Sequence, residues 1–207
     1  MFWATAHVVL ASPAWDERID PACCPYPEHD PRDYNWPYAY FLYSEVIPDV
    51  ASSFVPMTEL NITFASGTVV EYGKPVPPTL LDRPPEVAFG LEPDRDASTL
   101  HTLMMVDPDA PFRDAPVDGE WLHWLVYDIP GNNTAKGSTL AEYAPPLPKP
   151  CLTSEWLCLR EHRITFILWE QPHGPLALHE EDVHIKTEQL LPRRRYKARD
   201  FAARHRL

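Results

Sequence analysis

The sequence of 207 residues predicts a mainly β protein: a sandwich of antiparallel sheets with one late helix and a proline-rich, extended N-terminal arm. Three observations support this prediction. Short apolar runs recur with turn residues between them, which is the pattern of strands in a sandwich. Prolines number 25 against 7 glycines, which favours extended segments and rigid loops over a helical bundle. The length suits a single domain.

The arm is predicted to cover residues 1–44 and the globular domain residues 45–207. Prolines recur every few residues of the arm, with aromatic residues between them and no sustained helical or strand period. Disordered segments are usually poor in aromatic residues. We therefore expect the arm to lie against its own domain or against a protein partner.

Six segments are predicted to be strands: 60–64, 68–73, 86–89, 99–106, 121–129 and 162–170. The first two alternate apolar and polar residues and would meet at a tight turn at 66–67. The last three are apolar enough for central strands. Strict alternation along 121–129 would place Trp121, His123, Leu125 and Ile129 on one face. Residues 193–205 are the predicted helix, with an apolar stripe at Ala198, Phe201, Ala202 and His205.

The charge balance excludes several classes of function. With 30 acidic and 18 basic residues the net charge is -12, which makes the chain a poor general nucleic-acid binder. Nucleic-acid contact is expected only through the C-terminal helix, since residues 193–207 carry seven Lys or Arg. No run reaches transmembrane length, and no glycine-rich nucleotide loop is present. The four cysteines lack zinc or redox spacing, which favours free thiols in a reducing, intracellular compartment.

Polar residues at the ends of three predicted strands indicate one site. Asp107 ends the strand at 99–106, and His123 and His162 open the next two strong strands. An Asp beside an imidazole fixes its tautomer and raises its pKa. Two imidazoles beside a turn can hold a phosphate or carboxylate, and Trp and Pro residues would form the apolar walls. The alternative is that the histidines are packed core residues and that 107–111 is a plain turn.

Five motifs resemble the phosphatidylethanolamine-binding protein family, which includes the Raf kinase inhibitor proteins and the plant flowering regulators. They are VIPDV at 46–50, DPDAP at 107–111, EWLHWLVYDIPGN at 120–132, YAPPLP at 143–148 and HRITFILWEQ at 162–171. The resemblance implies an antiparallel, Greek-key β-sandwich with a conical anion pocket and cis bonds at 110–111 and 119–120. By motif position the ligand-binding residues would be Asp107, Pro111, Trp121, His123, Tyr143, Pro146 and His162.

The sequence departs from the family pattern in three places. Residues 148–161 are longer than the family's turn and contain no glycine, so they are expected to reshape or fill the pocket mouth. Ile164 stands where many relatives have Tyr, which removes one hydroxyl donor. The sequence ends at RHRL, where relatives continue into a further strand, so the domain is expected to be short at its C-terminal end.

Two functional hypotheses follow, and a third is disfavoured. The first is a non-catalytic binding module for a phosphate-like or phospholipid head-group ligand, with protein partners at the arm and at residues 148–161. The alternative is a structural subunit of a large mitochondrial assembly, a ribosomal large subunit or a respiratory complex. A mitochondrial large-ribosomal-subunit protein of the same fold has a similar WLHWL…IPGN strand and Y-x-PP-x-P loop. An enzyme is disfavoured because no nucleophilic Ser or Cys is placed beside the Asp and His residues. No cofactor or metal is expected, and the location would be mitochondrial or cytoplasmic.

Overall fold

The computed structural model describes residues 4–11, 41–51, 58–65, 67–70, 75–146 and 162–207. Its strands are β1 (Ala4–Ala11), β2 (Leu60–Thr63), β3 (Pro75–Val76), β4 (Glu86–Phe89), β5 (Leu100–Asp107), β6 (Trp121–Pro130), β7 (Ser138–Ala141) and β8 (His162–Glu170). Its α-helices with both ends among the described residues are α1 (Val46–Asp49) and α2 (Ala198–His205). Single turns of 3-10 helix lie at Pro78–Leu80, Thr134–Lys136 and Leu191–Arg193.

The strands form two sheets, as predicted for a mainly β sandwich. The larger sheet has six strands in the order β3-β1-β8-β5-β6-β7, and the smaller pairs β2 with β4. Only the β1–β8 pair is parallel among these strands. Strand β5 lies between β8 and β6 and is antiparallel to both. The C-terminal end of β5 therefore meets the N-terminal ends of β6 and β8.

Two apolar cores cover the two faces of the larger sheet. The core between the sheets includes Leu60, Ile62, Phe89, Leu103, Met105, Val126, Ile129, Ile164, Phe166 and Leu168. The core on the opposite face includes Val46, Ile47, Met104, Leu122, Leu125, Ile167, Trp169, Ile185, Ala198 and Phe201. Because β5 and β8 are covered on both faces, their sequences are continuous apolar runs rather than alternating ones. Strand β8 alternates between the two cores, with Ile164, Phe166 and Leu168 between the sheets and Ile167 and Trp169 on the opposite face.

Strand β6 does not alternate as predicted. Its register against β5 shifts twice, between His101 and Leu103 and between Met105 and Val106. Each shift places an extra residue in β6, which is a β-bulge. Leu122 and Leu125 therefore pack in the same core, whereas Ile129 packs in the other. The assignment of Leu125 and Ile129 to one face was wrong, because an apolar run does not reveal where a bulge lies.

Helix α2 begins at Ala198, later than the predicted start at residue 193. The preceding turn at Leu191–Arg193 is 3-10, and Arg194 then adopts an extended backbone conformation. This extended residue separates the two helical segments. The predicted stripe is confirmed in part, because Ala198, Phe201 and His205 are buried.

The predicted hairpin at 60–73 is only partly present. Gly67 has φ of 78°, and its N–H donates to the Phe64 carbonyl oxygen at 2.8 Å, so a turn forms. Beyond the turn, Val69 makes a single bridge with Thr63, and β2 takes β4 as its partner. Of the predicted second strand, residues 71–73 lie outside the described residues, as do residues 12–40 of the predicted arm and the whole of 148–161.

Candidate functional site

The topology brings three of the predicted site residues to one end of the larger sheet. Asp107 is the last residue of β5 and pairs with Trp121, the first residue of β6. His123 follows two positions later on β6, and His162 opens β8. The antiparallel arrangement of three neighbouring strands therefore groups one carboxylate and two imidazoles.

Asp107 and His162 form a buried pair. Nδ1 of His162 lies 2.7 Å from Oδ2 of Asp107, and their side chains are 10% and 6% exposed. Burial alone would lower the pKa of His162. The hydrogen bond to Asp107 and the charges of Asp107 and Asp109 outweigh burial, so the pKa of His162 is raised above its ordinary value. Asp107 therefore stabilises the imidazolium form of His162, in which Nδ1–H donates to the carboxylate.

His123 is held in a different way. Its Nδ1 lies 2.7 Å from the carbonyl oxygen of Ala144, and because that oxygen only accepts, Nδ1 must carry the proton. Burial lowers the pKa of His123, and the charge of Asp107 opposes this only in part. The neutral ring thus presents a lone pair at Nε2. That atom is buried and has no hydrogen-bond partner in the described part of the chain.

Arg163 anchors the loop that follows Asp107. The Asp109 carboxylate accepts hydrogen bonds from the Arg163 backbone N–H at 2.8 Å and from the guanidinium Nη2 at 2.6 Å. Oδ1 of Asp107 accepts the Asp109 N–H at 2.8 Å, and the same guanidinium lies 2.9 Å from Oδ2 of Asp49 in α1. Our sequence reasoning missed this role. The available indication was an arginine inside an apolar strand, directly after His162.

The other end of the same loop is held by the C-terminal segment. The Ala198 N–H donates to Oε2 of Glu120 at 3.0 Å, at the start of α2, and the buried Glu120 carboxyl has a raised pKa because of burial. Asp118 forms an ion pair with Arg194. The peptide bonds Ala110-Pro111 and Gly119-Glu120 are both cis, as the family resemblance implied.

The four remaining predicted site residues have other surroundings. The Tyr143 hydroxyl donates to the Leu81 carbonyl oxygen at 2.8 Å, and its ring packs in the core between the sheets. This phenol therefore does not contribute a free hydroxyl to the site, and burial raises its pKa. Pro146 is buried, and Pro111 and Trp121 are half-buried. Their contribution as apolar walls stays a prediction.

The match to a family model establishes the class of this protein. Residues 82–207, more than half of the chain, match the model described as phosphatidylethanolamine-binding protein. The chain therefore belongs to the phosphatidylethanolamine-binding protein family, as its motifs indicated.

Two curated relatives illustrate the range of this family. The chain is 37% identical over 127 residues to Protein BROTHER of FT and TFL 1 of Arabidopsis thaliana, covering 61% of this chain and 65% of that protein. It is 36% identical over 104 residues to Putative odorant-binding protein A5 of Drosophila melanogaster, covering 50% of this chain and 47% of that protein. The chain thus spans about half to two thirds of the length of these relatives.

Two solved structures share the fold. The CG7054 solution structure is 33% identical, with a TM-score of 0.54, and the match covers 78% of this chain and 83% of that one. The phosphatidylethanolamine-binding protein from Plasmodium vivax is 21% identical, with a TM-score of 0.62, over 81% of this chain and 89% of that one. At that identity the second likeness shows the fold alone.

Two further observations concern the residues that the structure describes. Among them, no helix is long and apolar enough to cross a membrane. In the same part of the chain, no three His, Cys, Asp or Glu side chains are grouped so that they could hold a metal ion.

Proposed function

We propose that this chain is a binding module for a small anion, a phosphate or a phosphorylated head group, at the site built on Asp107, His123 and His162. Membership of a family described by phosphatidylethanolamine binding supports this proposal. The observation that carries it is Nε2 of His123. A buried nitrogen without a partner costs about 1–3 kcal/mol. A ligand that hydrogen-bonds to this atom would remove that cost.

The charges at the site favour an anion. The pKa of His162 is raised, which favours the positively charged form of its ring, and Asp107 fixes the orientation of that ring. His123 lies close enough to feel the charges of both residues. Two binding modes follow for its Nε2. While neutral, it would accept a hydrogen bond from a protonated phosphate oxygen; once protonated, it would donate to an ionised oxygen.

The second mode couples binding to proton uptake. Nδ1 of His123 already donates to Ala144, so protonation at Nε2 produces an imidazolium with both nitrogens donating. Burial opposes this charge in the free protein. A bound anion would compensate for it, because an opposite charge within a few ångströms favours the charged form of an imidazole.

Titration with phosphoethanolamine tests the proposal, with amide chemical shifts and tryptophan fluorescence as readouts. We expect saturable shifts at residues 107–111 and at His123, and binding at least about tenfold weaker in His123→Ala, since an ionic hydrogen bond contributes about 1.5–3 kcal/mol. His173→Ala is the matched control, because His173 is exposed and follows β8 at the opposite end from His162. Absence of any response in the wild type, or an equal response in His123→Ala, would contradict the proposal.

The alternative of a structural subunit in a mitochondrial ribosome or respiratory complex stays a prediction. It depends on partner contacts at residues 1–44 and 148–161, most of which lie outside the described residues. Nucleic-acid contact through the basic C-terminal segment also stays a prediction. Within that segment Arg193 is fully buried, and Arg194 and Arg204 are ion-paired to Asp118 and Asp182, so fewer charges are available than the sequence indicated.

A further inference from the structure

We infer that Arg193 is a positioning residue for the anion site. It holds β6 and the segment 142–146 at a fixed spacing, which orients the His123 ring and leaves its Nε2 available to a ligand. The consequence for ligand affinity rests on the proposed function. The consequence for the His123 ring does not, because it concerns the free protein.

Arg193 makes five hydrogen bonds to backbone carbonyl oxygens. Its side chain is fully buried, with an exposed fraction of 0%. The acceptors and their distances are Gln189 (3.1 Å), Leu122 (3.0 Å), His123 (3.2 Å), Glu142 (2.7 Å) and Lys186 (2.9 Å). A guanidinium has five N–H donors in a fixed planar arrangement. Separate stretches of backbone, on β6, after β7 and before the last 3-10 turn, are thus joined through one side chain.

This arginine is not part of a surface charge patch. Among the described residues no carboxylate lies within ion-pair distance of it, and burial lowers its pKa. A buried cation is costly unless polar groups replace its hydration. The five carbonyl dipoles fill that role, so the buried guanidinium depends on these acceptors for its stabilisation.

The set acts directly on His123. Arg193 binds the carbonyl oxygens of His123 on β6 and of Glu142, the residue after β7. Between these two points His123 and Ala144 are joined twice: the Ala144 N–H donates to the His123 carbonyl oxygen at 2.8 Å, and His123 Nδ1–H donates to the Ala144 carbonyl oxygen at 2.7 Å. The second bond determines which ring nitrogen carries the proton. Arg193 secures the chain on both sides of it.

Lysine is the informative substitution. It keeps the positive charge but offers three donors from one point, and so cannot reach five carbonyls around a plane. In Arg193→Lys we expect segment 142–146 to loosen from β6, so that the Ala144 carbonyl no longer holds Nδ1–H. The His123 ring would then populate both neutral tautomers. Removing such hydrogen-bond supports from metal-binding histidines lowers metal affinity by about tenfold or more, and we expect a similar loss of anion affinity here.

The test combines two readouts on the full chain. Long-range ¹H–¹⁵N correlation of the His123 ring in the free protein should show a single Nδ1–H tautomer in the wild type and a mixture in Arg193→Lys. Phosphoethanolamine affinity should fall about tenfold in the same variant. Arg204→Lys is the control: Arg204 lies in α2 and pairs with Glu181 and Asp182, so it should change neither readout.

The outcomes separate this inference from the proposed function. A tautomer change in Arg193→Lys supports the positioning role, whether or not phosphoethanolamine binds the wild type. Absence of phosphoethanolamine binding to the wild type would contradict only the proposed function. A folded Arg193→Lys with an unchanged tautomer and unchanged affinity overturns the inference. If Arg193→Lys does not fold, the inference is tested instead by hydrogen exchange measured on the wild-type protein. The Ala144 amide and the Arg193 Nε–H should exchange with the same opening equilibrium, and much faster exchange of Ala144 alone overturns the inference.

Discussion

Replacing Asp107 by Asn should destabilise the protein most strongly at low pH. The new amide would keep an oxygen that can accept the Asp109 N–H, but the site would lose the negative charge that stabilises the His162 imidazolium. In Asp107→Asn burial then dominates, so the pKa of His162 falls. The His162 ring can also become neutral and accept a hydrogen bond from the new amide, which limits the damage.

The size of the expected loss in stability follows from the geometry of the Asp107–His162 pair. A hydrogen bond at 2.7 Å between two groups that are at most 10% exposed belongs to the strong, ionic class, at about 1.5–3 kcal/mol. The folded-state pKa of His162 is raised above 6.5, so its stabilisation is fully present below that pH and is lost as the pH rises through the folded-state value. We expect Asp107→Asn to lose about 2–3 kcal/mol near pH 5.5 and about 1 kcal/mol once the wild-type ring is neutral.

Urea unfolding of wild type and Asp107→Asn across this pH range measures the effect, and an NMR titration of His162 measures its pKa in each protein. Asp94→Asn controls for the loss of one negative charge, because the Asp94 side chain is 73% exposed and should change stability by less than about 1 kcal/mol. A stability loss that is equal at low and high pH would refute the reasoning. So would an unchanged His162 pKa in Asp107→Asn.

Two further substitutions test how the loop between β5 and β6 is held. Gly119→Ala should destabilise the fold by about 1–3 kcal/mol in thermal unfolding, because a Cβ at Gly119 would overlap the Pro108 carbonyl, whereas Gly90→Ala has room and should be nearly neutral. Asp109→Asn should cost about 3 kcal/mol or more in urea unfolding, since the buried Arg163 guanidinium would lose its main carboxylate. A loss below about 0.5 kcal/mol for either variant, within the range of ordinary surface substitutions, would contradict the described contacts.

The sequence predicted the location of Asp107, His123 and His162 because each lies at the end of a long apolar run. Such runs are central strands, and when neighbouring central strands are antiparallel, the end of one meets the beginnings of the next. The family motifs supplied the same residues independently. The topology then required only that β5 lie between the other two strands, which it does.

Other features depend on tertiary contacts that no local pattern encodes. Arg193, Arg194 and Arg195 are consecutive and identical in type, yet the first is fully buried among carbonyl groups and the second forms an ion pair with the buried Asp118. The hydroxyl of Tyr143 donates to Leu81, which is distant in sequence. The bulges of β6 likewise arise from its pairing with β5, not from its own composition. These contacts determine which polar atoms at the site remain available to a ligand.

The pH dependence of sulfate binding tests the central claim, that Nε2 of His123 binds the anion, most directly. Sulfate keeps its charge through the neutral range and has no proton to donate, so it can form a hydrogen bond with Nε2 of His123 only when that nitrogen is protonated. We predict that sulfate affinity rises by up to about tenfold per pH unit as the pH falls from about 8 to about 6, and that this dependence is much weaker in His123→Ala, where His162 is the site histidine that still titrates. Binding that does not change with pH, or an equally steep pH dependence in the wild type and in His123→Ala, would contradict the account.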